Sequence, residues 1–335
     1  MRYSPAIWLF VLCLFLSPWM KVSSADEVTA LRNGVWRQVA PAPTPRTEVT
    51  AAVLDKKIYV IGGFSPLGLS NLLKLSVTDV VEVYDPAVDR WEKVPPLPES
   101  RHHAAAVSTG GRLFVFGGFA PSLTSVWNPV DTVFEYIPDE SRWVRRRSMP
   151  TARGALAVAL LDGKIFAIGG YDGHASLPVV EIYDPAADIW QSAPSLPTPR
   201  DHLAAAAVDG RVYAIGGRVD LDYKHNLGVT EVYDPAIRRW REVASLPTPR
   251  SGIAAVVLAG MVMVVGGEGA QGTFEENEAY QPDEDTWLTL PPLPTPRHGL
   301  AAVAVRDRLY ALGGGRQPGG SYSKVNEVFV PAESK

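Results

Sequence analysis

The chain has 335 residues and a single cysteine, Cys13, which sits in an apolar run near the N-terminus. No internal disulfide can form, and no site built on two thiolates can be assembled. There is also no excess of positive charge: 32 Lys and Arg stand against 36 Asp and Glu for a formal net charge of -4, so the sequence has no basic footprint and nucleic acid is not expected as a partner. No glycine-rich phosphate loop, serine elbow or paired metal motif occurs. The apolar run Ala6–Leu16 covers 11 residues, short for a bilayer span, and nothing elsewhere approaches transmembrane length.

That run does fit an export signal. Arg2 supplies a positive n-region, Ala6–Leu16 the apolar segment, and Ser23-Ser24-Ala25 places small residues where signal peptidase needs them. Cleavage before Asp26 is expected, with residues 1–25 as signal peptide and a secreted or periplasmic product. Loss of Arg2 and Lys21 takes the net charge from -4 to -6, and Cys13 goes with them.

The remaining chain is organised by repetition. A Gly-Gly pair follows a short apolar run six times: Gly62-Gly63, Gly117-Gly118, Gly169-Gly170, Gly216-Gly217, Gly266-Gly267 and Gly313-Gly314. Their spacings of 55, 52, 47, 50 and 47 residues are those of a structural repeat. An aromatic two residues before a proline follows each pair: Tyr84, Tyr136, Tyr183, Tyr233, Tyr280 and Phe329. In five units a tryptophan stands seven residues further on: Trp91, Trp143, Trp190, Trp240 and Trp287. Each unit therefore carries four short β signals separated by polar turns such as Asp162-Gly163 and Asp209-Gly210.

This pattern closely resembles the kelch motif, over roughly residues 34–331. The resemblance implies an all-β, six-bladed propeller of four-stranded blades. One domain is expected over 26–335, with blades near 46–94, 101–146, 153–193, 200–243, 250–290 and 297–331. The sixth unit has no tryptophan strand, and an orphan one, Gly34-Val35-Trp36-Arg37-Gln38, precedes the first. Residues 34–40 are therefore expected to complete the last blade and close the ring. Most of the repeated aromatics are read as core.

Antiparallel order places all the long, variable loops on one face of the disc, the usual place for function on a rigid scaffold. On that face each first strand is introduced by an arginine: Arg46, Arg101, Arg153, Arg200, Arg250 and Arg297. Two readings stand. Guanidinium groups suit carboxylate or phosphate, so the six can form an anion-binding mouth. Alternatively they pair with the glutamates that precede five of the aromatics, namely Glu82, Glu181, Glu231, Glu278 and Glu327, with Phe134 in the sixth place.

Four histidines lie just after these arginines: His102, His103, His202 and His298, with Asp201 and Glu48 at related positions. Imidazole and carboxylate suit transition metals, but ligands on separate blades need not converge, and no metal or cofactor is expected. His102, His202, His298 and the loop residue Trp127 join the six arginines as candidate ligand-binding residues. No catalytic residue is assigned. The Arg142, Arg145, Arg146 and Arg147 cluster falls in an outermost strand, where charge blocks edge pairing.

Two functions follow from the resemblance. The first is a non-catalytic scaffold that binds a protein, peptide or glycan through the loop-rich, arginine-lined face. The second is an enzyme on an acidic sugar, similar to the bacterial sialic-acid mutarotase, with His or Glu as general acid and base. The copper chemistry of the related galactose oxidase needs a cysteine, which the cleaved chain lacks.

Overall fold

A computed structural model describes residues 24–66 and 76–333. The expected signal segment lies outside these residues except for Ser24 and Ala25.

Alternation of apolar and small residues with turn-forming Asp and Gly produces six four-stranded antiparallel sheets arranged as a β-propeller. Blade one runs through Thr50–Leu54, Lys57–Ile61, Val81–Asp85 and Arg90–Lys93. Blades two to five repeat that order, from Ala105–Thr109 in blade two to Thr286–Thr289 in blade five. The innermost strands pack side by side in a closed circle. They are rich in alanine, as at Ala204–Val208 and Ala301–Val305, because little room remains near the axis.

Blade six is composite. Ala301–Val305, Arg308–Leu312 and Asn326–Val330 are joined by the N-terminal strand Val35–Gln38, with Trp36 opposite Phe329. Closure leaves no open blade for edge pairing.

The tryptophans hold the wall in two directions. Within a blade each lies directly across from the aromatic of the third strand, as in Tyr84–Trp91 at 5.2 Å and Tyr183–Trp190 at 4.9 Å between ring centroids. Such pairs add about 0.5–1.5 kcal/mol beyond burial. Between blades each indole N–H donates to a carbonyl of the preceding segment: Trp91 to Ala40, Trp143 to Pro95, Trp190 to Arg147, Trp240 to Pro194, Trp287 to Ala244 and Trp36 to Pro291.

The Gly-Gly pairs end the second strands, where the backbone passes hard against the next segment. Gly217 has φ +99°, and a Cβ there would stand 2.7 Å from the Asp201 carbonyl oxygen.

The sequence shows no helical period of ten residues, and among the described residues the structure adds a shorter α-helix, Ser24–Arg32. Asp26 and Glu27 in its first turn and Arg32 in its last match the helix dipole. Leu31 anchors it, fully buried against Leu309, Phe329 and their neighbours.

Candidate functional site at the channel mouth

The six arginines lie within the blade wall. Each is 0–1% exposed. Five are ion-paired with the glutamate of the third strand: Arg46–Glu82 at 2.8 Å, Arg153–Glu181 at 2.7 Å, Arg200–Glu231 at 2.5 Å, Arg297–Glu327 at 2.5 Å, and Arg250–Glu278. The second oxygen of each glutamate accepts a hydroxyl from the threonine two residues before the arginine, from Thr44–Glu82 at 2.6 Å to Thr248–Glu278 at 3.0 Å. The guanidinium groups also donate to backbone carbonyls, as Arg200 does to Thr198 and Ala214.

Blade two makes a coherent exchange. Phe134 replaces the glutamate and takes the Arg101 guanidinium over its ring at 4.9 Å, while Glu99 replaces the threonine and pairs with Arg101 at 2.9 Å. Burial, only partly offset by Glu99, lowers the Arg101 pKa to about 10. Of the two readings open from the sequence, the structure thus favours pairing over an anion-binding mouth: the guanidinium charge is met inside the wall.

What reaches the axis is the residue two places after each arginine: Glu48, His103, Ala155, His202, Gly252 and Gly299. All six have positive φ, between +50° and +64°. Their backbones form a hydrogen-bonded ring. His103 N–H donates to Glu48, Ala155 to His103, His202 to Ala155, Gly252 to His202 and Gly299 to Gly252, and Val49 N–H closes the circle on Gly299. The left-handed turn directs Glu48, His103 and His202 to one point, where ligand atoms of all three lie within 4.8 Å of one another. Ligands from blades one, two and four thus converge, a point the sequence left open.

The residue immediately after each arginine is buried and pairs with the residue following Gly-Gly, as in His102 with Phe119, Asp201 with Arg218, Ser251 with Glu268 and His298 with Gly315. A charged network results. Glu48 binds His103 at 3.0 Å and His298 at 3.0 Å. Glu268 reaches His298 at 3.4 Å and Arg218 at 2.7 Å. Asp201 holds His202 at 2.6 Å and Arg218 at 3.5 Å.

Protonation follows from these contacts. Burial alone would raise the Glu48 pKa, but His103 and His298 outweigh it and hold the carboxyl well below its usual range. Burial, reinforced by Arg218, pushes His202 down to about 4. Burial and His103 keep His102 well below the usual imidazole value. For His298 burial is overcome by Glu48 and Glu268, and its pKa is raised.

Above this network is a cavity of about 250 Å³ whose walls include Phe64, Trp127, Leu221 and Tyr223 and whose floor includes Glu48, His103, Arg218 and Glu268. Trp127 is 39% exposed and packs on His102 and Phe119 with centroid separations of 5.0 and 5.1 Å. A space of about 90 Å³ follows beside Glu48, His103 and His202, and then a channel of about 170 Å³ lined mainly by alanines. A separate cleft between blades two and three is larger, about 460 Å³, but its Arg112 and Arg146 both pair with Glu135.

Of the candidates from sequence, Trp127 borders this cavity, while His202 and His298 join the network beneath it. His102 is wholly buried and donates to the Val126 carbonyl at 2.8 Å, so it supports the site from behind. The sequence reading missed Arg218 and Glu268. They occupy the position after Gly-Gly, which varies freely among the six units.

Known proteins place the chain. A model of the Kelch repeats domain of KLHDC2, KLHL20 and DRC7 matches residues 146–314, and the Kelch motif matches 45–98 and 100–150. The chain belongs to the kelch-repeat family. It is 32% identical to beta-scruin of Limulus polyphemus over 50% of this chain and 19% of that protein. Kelch-like protein 35 of Mus musculus is 30% identical over 46% of this chain and 24% of its own length. The F-box/kelch-repeat protein SKIP30 of Arabidopsis thaliana is 35% identical over 33% of this chain and 34% of its own. The kelch chain thus matches about a third or less of each of these relatives. The solved structure of YjhT superposes with a TM-score of 0.72 at 16% identity, over 86% of this chain and 95% of that one, a likeness of fold. Kelch propellers commonly act as protein-interaction scaffolds.

Proposed function

We propose that this kelch propeller is a non-catalytic scaffold that binds a protein, peptide or glycan at the channel mouth of its loop-rich face. The observation that carries the reading is the cavity above the axis: aromatic and aliphatic walls from Phe64, Trp127, Leu221 and Tyr223 over a polar floor. A large apolar surface with a few fixed polar groups is what a protruding side chain or sugar ring needs. The polar groups are positioned in advance by the backbone ring and the salt-bridge network, which lowers the ordering cost of binding.

An enzyme on an acidic sugar is less well supported. Its substrate carboxylate calls for a free guanidinium, whereas the six wall arginines are buried and Arg218 is engaged by Glu268 and Asp201. The binding site is therefore assigned to the cavity and its aromatic rim.

The test is binding of the full chain to peptide and glycan arrays, compared with Trp127→Ala. Selective binding that drops at least ten-fold in the variant is expected. Equal binding by both proteins would remove the cavity from the account.

We also infer export, from Ala6–Leu16 and Ser23-Ser24-Ala25. Mass spectrometry of the protein made in an export-competent host should find a chain starting at Asp26. An intact N-terminus would refute this.

A further inference from the structure

We propose that Glu48, His103 and His202 form a binding site for a divalent first-row transition ion, such as Zn²⁺ or Cu²⁺, on the propeller axis. The inference is independent of the partner that occupies the cavity.

It rests on the lone pairs. His102 Nε2 faces the Val126 carbonyl oxygen at 2.8 Å, so that nitrogen carries the hydrogen. His102 Nδ1 is then an acceptor, and its partner at 2.5 Å, His103 Nδ1, must donate to it. The remaining nitrogen of His103, Nε2, faces the Glu48 carboxylate at 3.0 Å. Two acceptors meet there unless a cation joins them: a proton on His103, or a metal.

His202 discriminates between these. Its Nδ1 donates to Asp201 at 2.6 Å, and Asp201 is itself fixed by Ser176 at 2.5 Å and by the Leu221 N–H at 3.2 Å. Its Nε2 is left as a bare lone pair, buried and without a hydrogen-bond partner. A proton between His103 and Glu48 does nothing for that nitrogen, whereas a metal satisfies all three groups at once. Metal-bound histidines characteristically give their other nitrogen to a carboxylate or another acceptor, as both imidazoles do here.

The space is compatible. The three ligand atoms lie within 4.8 Å of one another, and a tetrahedral site with bonds near 2.0–2.1 Å needs them about 3.4 Å apart, within reach of small side-chain rotations. The other three positions of the axial ring are Ala155, Gly252 and Gly299, which leave the centre open. Two imidazoles and one carboxylate favour a transition ion over Mg²⁺ or Ca²⁺, which prefer all-oxygen ligands. Three protein ligands leave a fourth position for water or a ligand group.

The test uses the full chain stripped with chelator and titrated calorimetrically with Zn²⁺, with Mg²⁺ as the comparison ion. One equivalent of Zn²⁺ should bind and Mg²⁺ should not. His202→Ala should weaken Zn²⁺ at least ten-fold, and Asp201→Asn by about 10–100-fold through loss of ligand orientation. His225→Ala, which removes an exposed histidine paired with Asp222, should leave affinity unchanged. Thermal melts check that each variant folds. Electron paramagnetic resonance of the unmutated chain with one equivalent of Cu²⁺ gives a readout that needs no variant, and splitting from two imidazole nitrogens is expected. Absence of stoichiometric Zn²⁺ binding, retained affinity in folded His202→Ala, or a Cu²⁺ spectrum without nitrogen splitting would each overturn the proposal.

Discussion

Trp36 and Phe329, almost three hundred positions apart in the chain, sit directly opposite each other in the sixth blade with ring centroids 5.3 Å apart. This contact joins the two ends of the described chain and closes the ring. Trp36 is half-buried and also donates to the Pro291 carbonyl at 2.9 Å. Trp36→Ala should cost about 3 kcal/mol, the low end for a large aromatic because part of the ring is exposed. Urea unfolding measures this, and a loss under about 0.5 kcal/mol would contradict closure by this strand.

Buried pairing of the wall arginines predicts a stability phenotype. Arg200→Met strands the Glu231 carboxylate in the wall and should cost about 3–5 kcal/mol, while Arg200→Met with Glu231→Leu should recover most of the loss. Chemical denaturation of both variants checks it. An undiminished stability in Arg200→Met would contradict a structural role for this buried pair.

Acid sensitivity should trace partly to Asp188. Its carboxylate accepts the Tyr183 hydroxyl at 2.6 Å and the Arg147 N–H at 2.9 Å, tying blade three to the segment before it. Burial works to raise its pKa, but these hydrogen bonds and the nearby Arg146 and Arg147 lower it overall. A depressed folded value means the contribution is complete above the unfolded pKa of about 3.9 and disappears as pH falls through the folded one. Asp188→Asn should therefore destabilise at neutral pH, with the difference from the parent shrinking below about pH 4. A constant difference down to pH 2 would exclude this carboxylate.

The double glycines differ in kind from the turn glycines. Gly217→Ala forces a Cβ toward the Asp201 carbonyl and should cost more than about 2 kcal/mol. Gly210→Ala has positive φ but open space around it, and should cost about 1 kcal/mol. Thermal denaturation of the two variants side by side gives the order.

Blade number, ring closure and the loop-rich face were legible because six in-phase Gly-Gly pairs and a displaced tryptophan strand are local patterns. The fate of the arginines was legible only as a choice. The recurring glutamates suggested pairing, the guanidinium chemistry suggested an anion site, and burial, which decides between them, depends on how neighbouring strands pack. The axial site was hidden by its backbone. Alternation along an extended strand separates adjacent side chains, but the left-handed turn at Glu48, His103 and His202 breaks that alternation. One signal was present: Gly252 and Gly299 occupy the same position in blades five and six, where glycine commonly marks positive φ. Arg218 and Glu268 carried no such mark.

Hydrogen–deuterium exchange of the full chain, with and without a partner selected on the arrays, tests the account most directly. Slower exchange is expected in the mouth loops, around 119–131, 218–227 and 315–323, with the turns at Asp162-Gly163 and Asp209-Gly210 on the opposite face unchanged. Protection confined to those opposite turns, with the mouth loops unaffected, would contradict it.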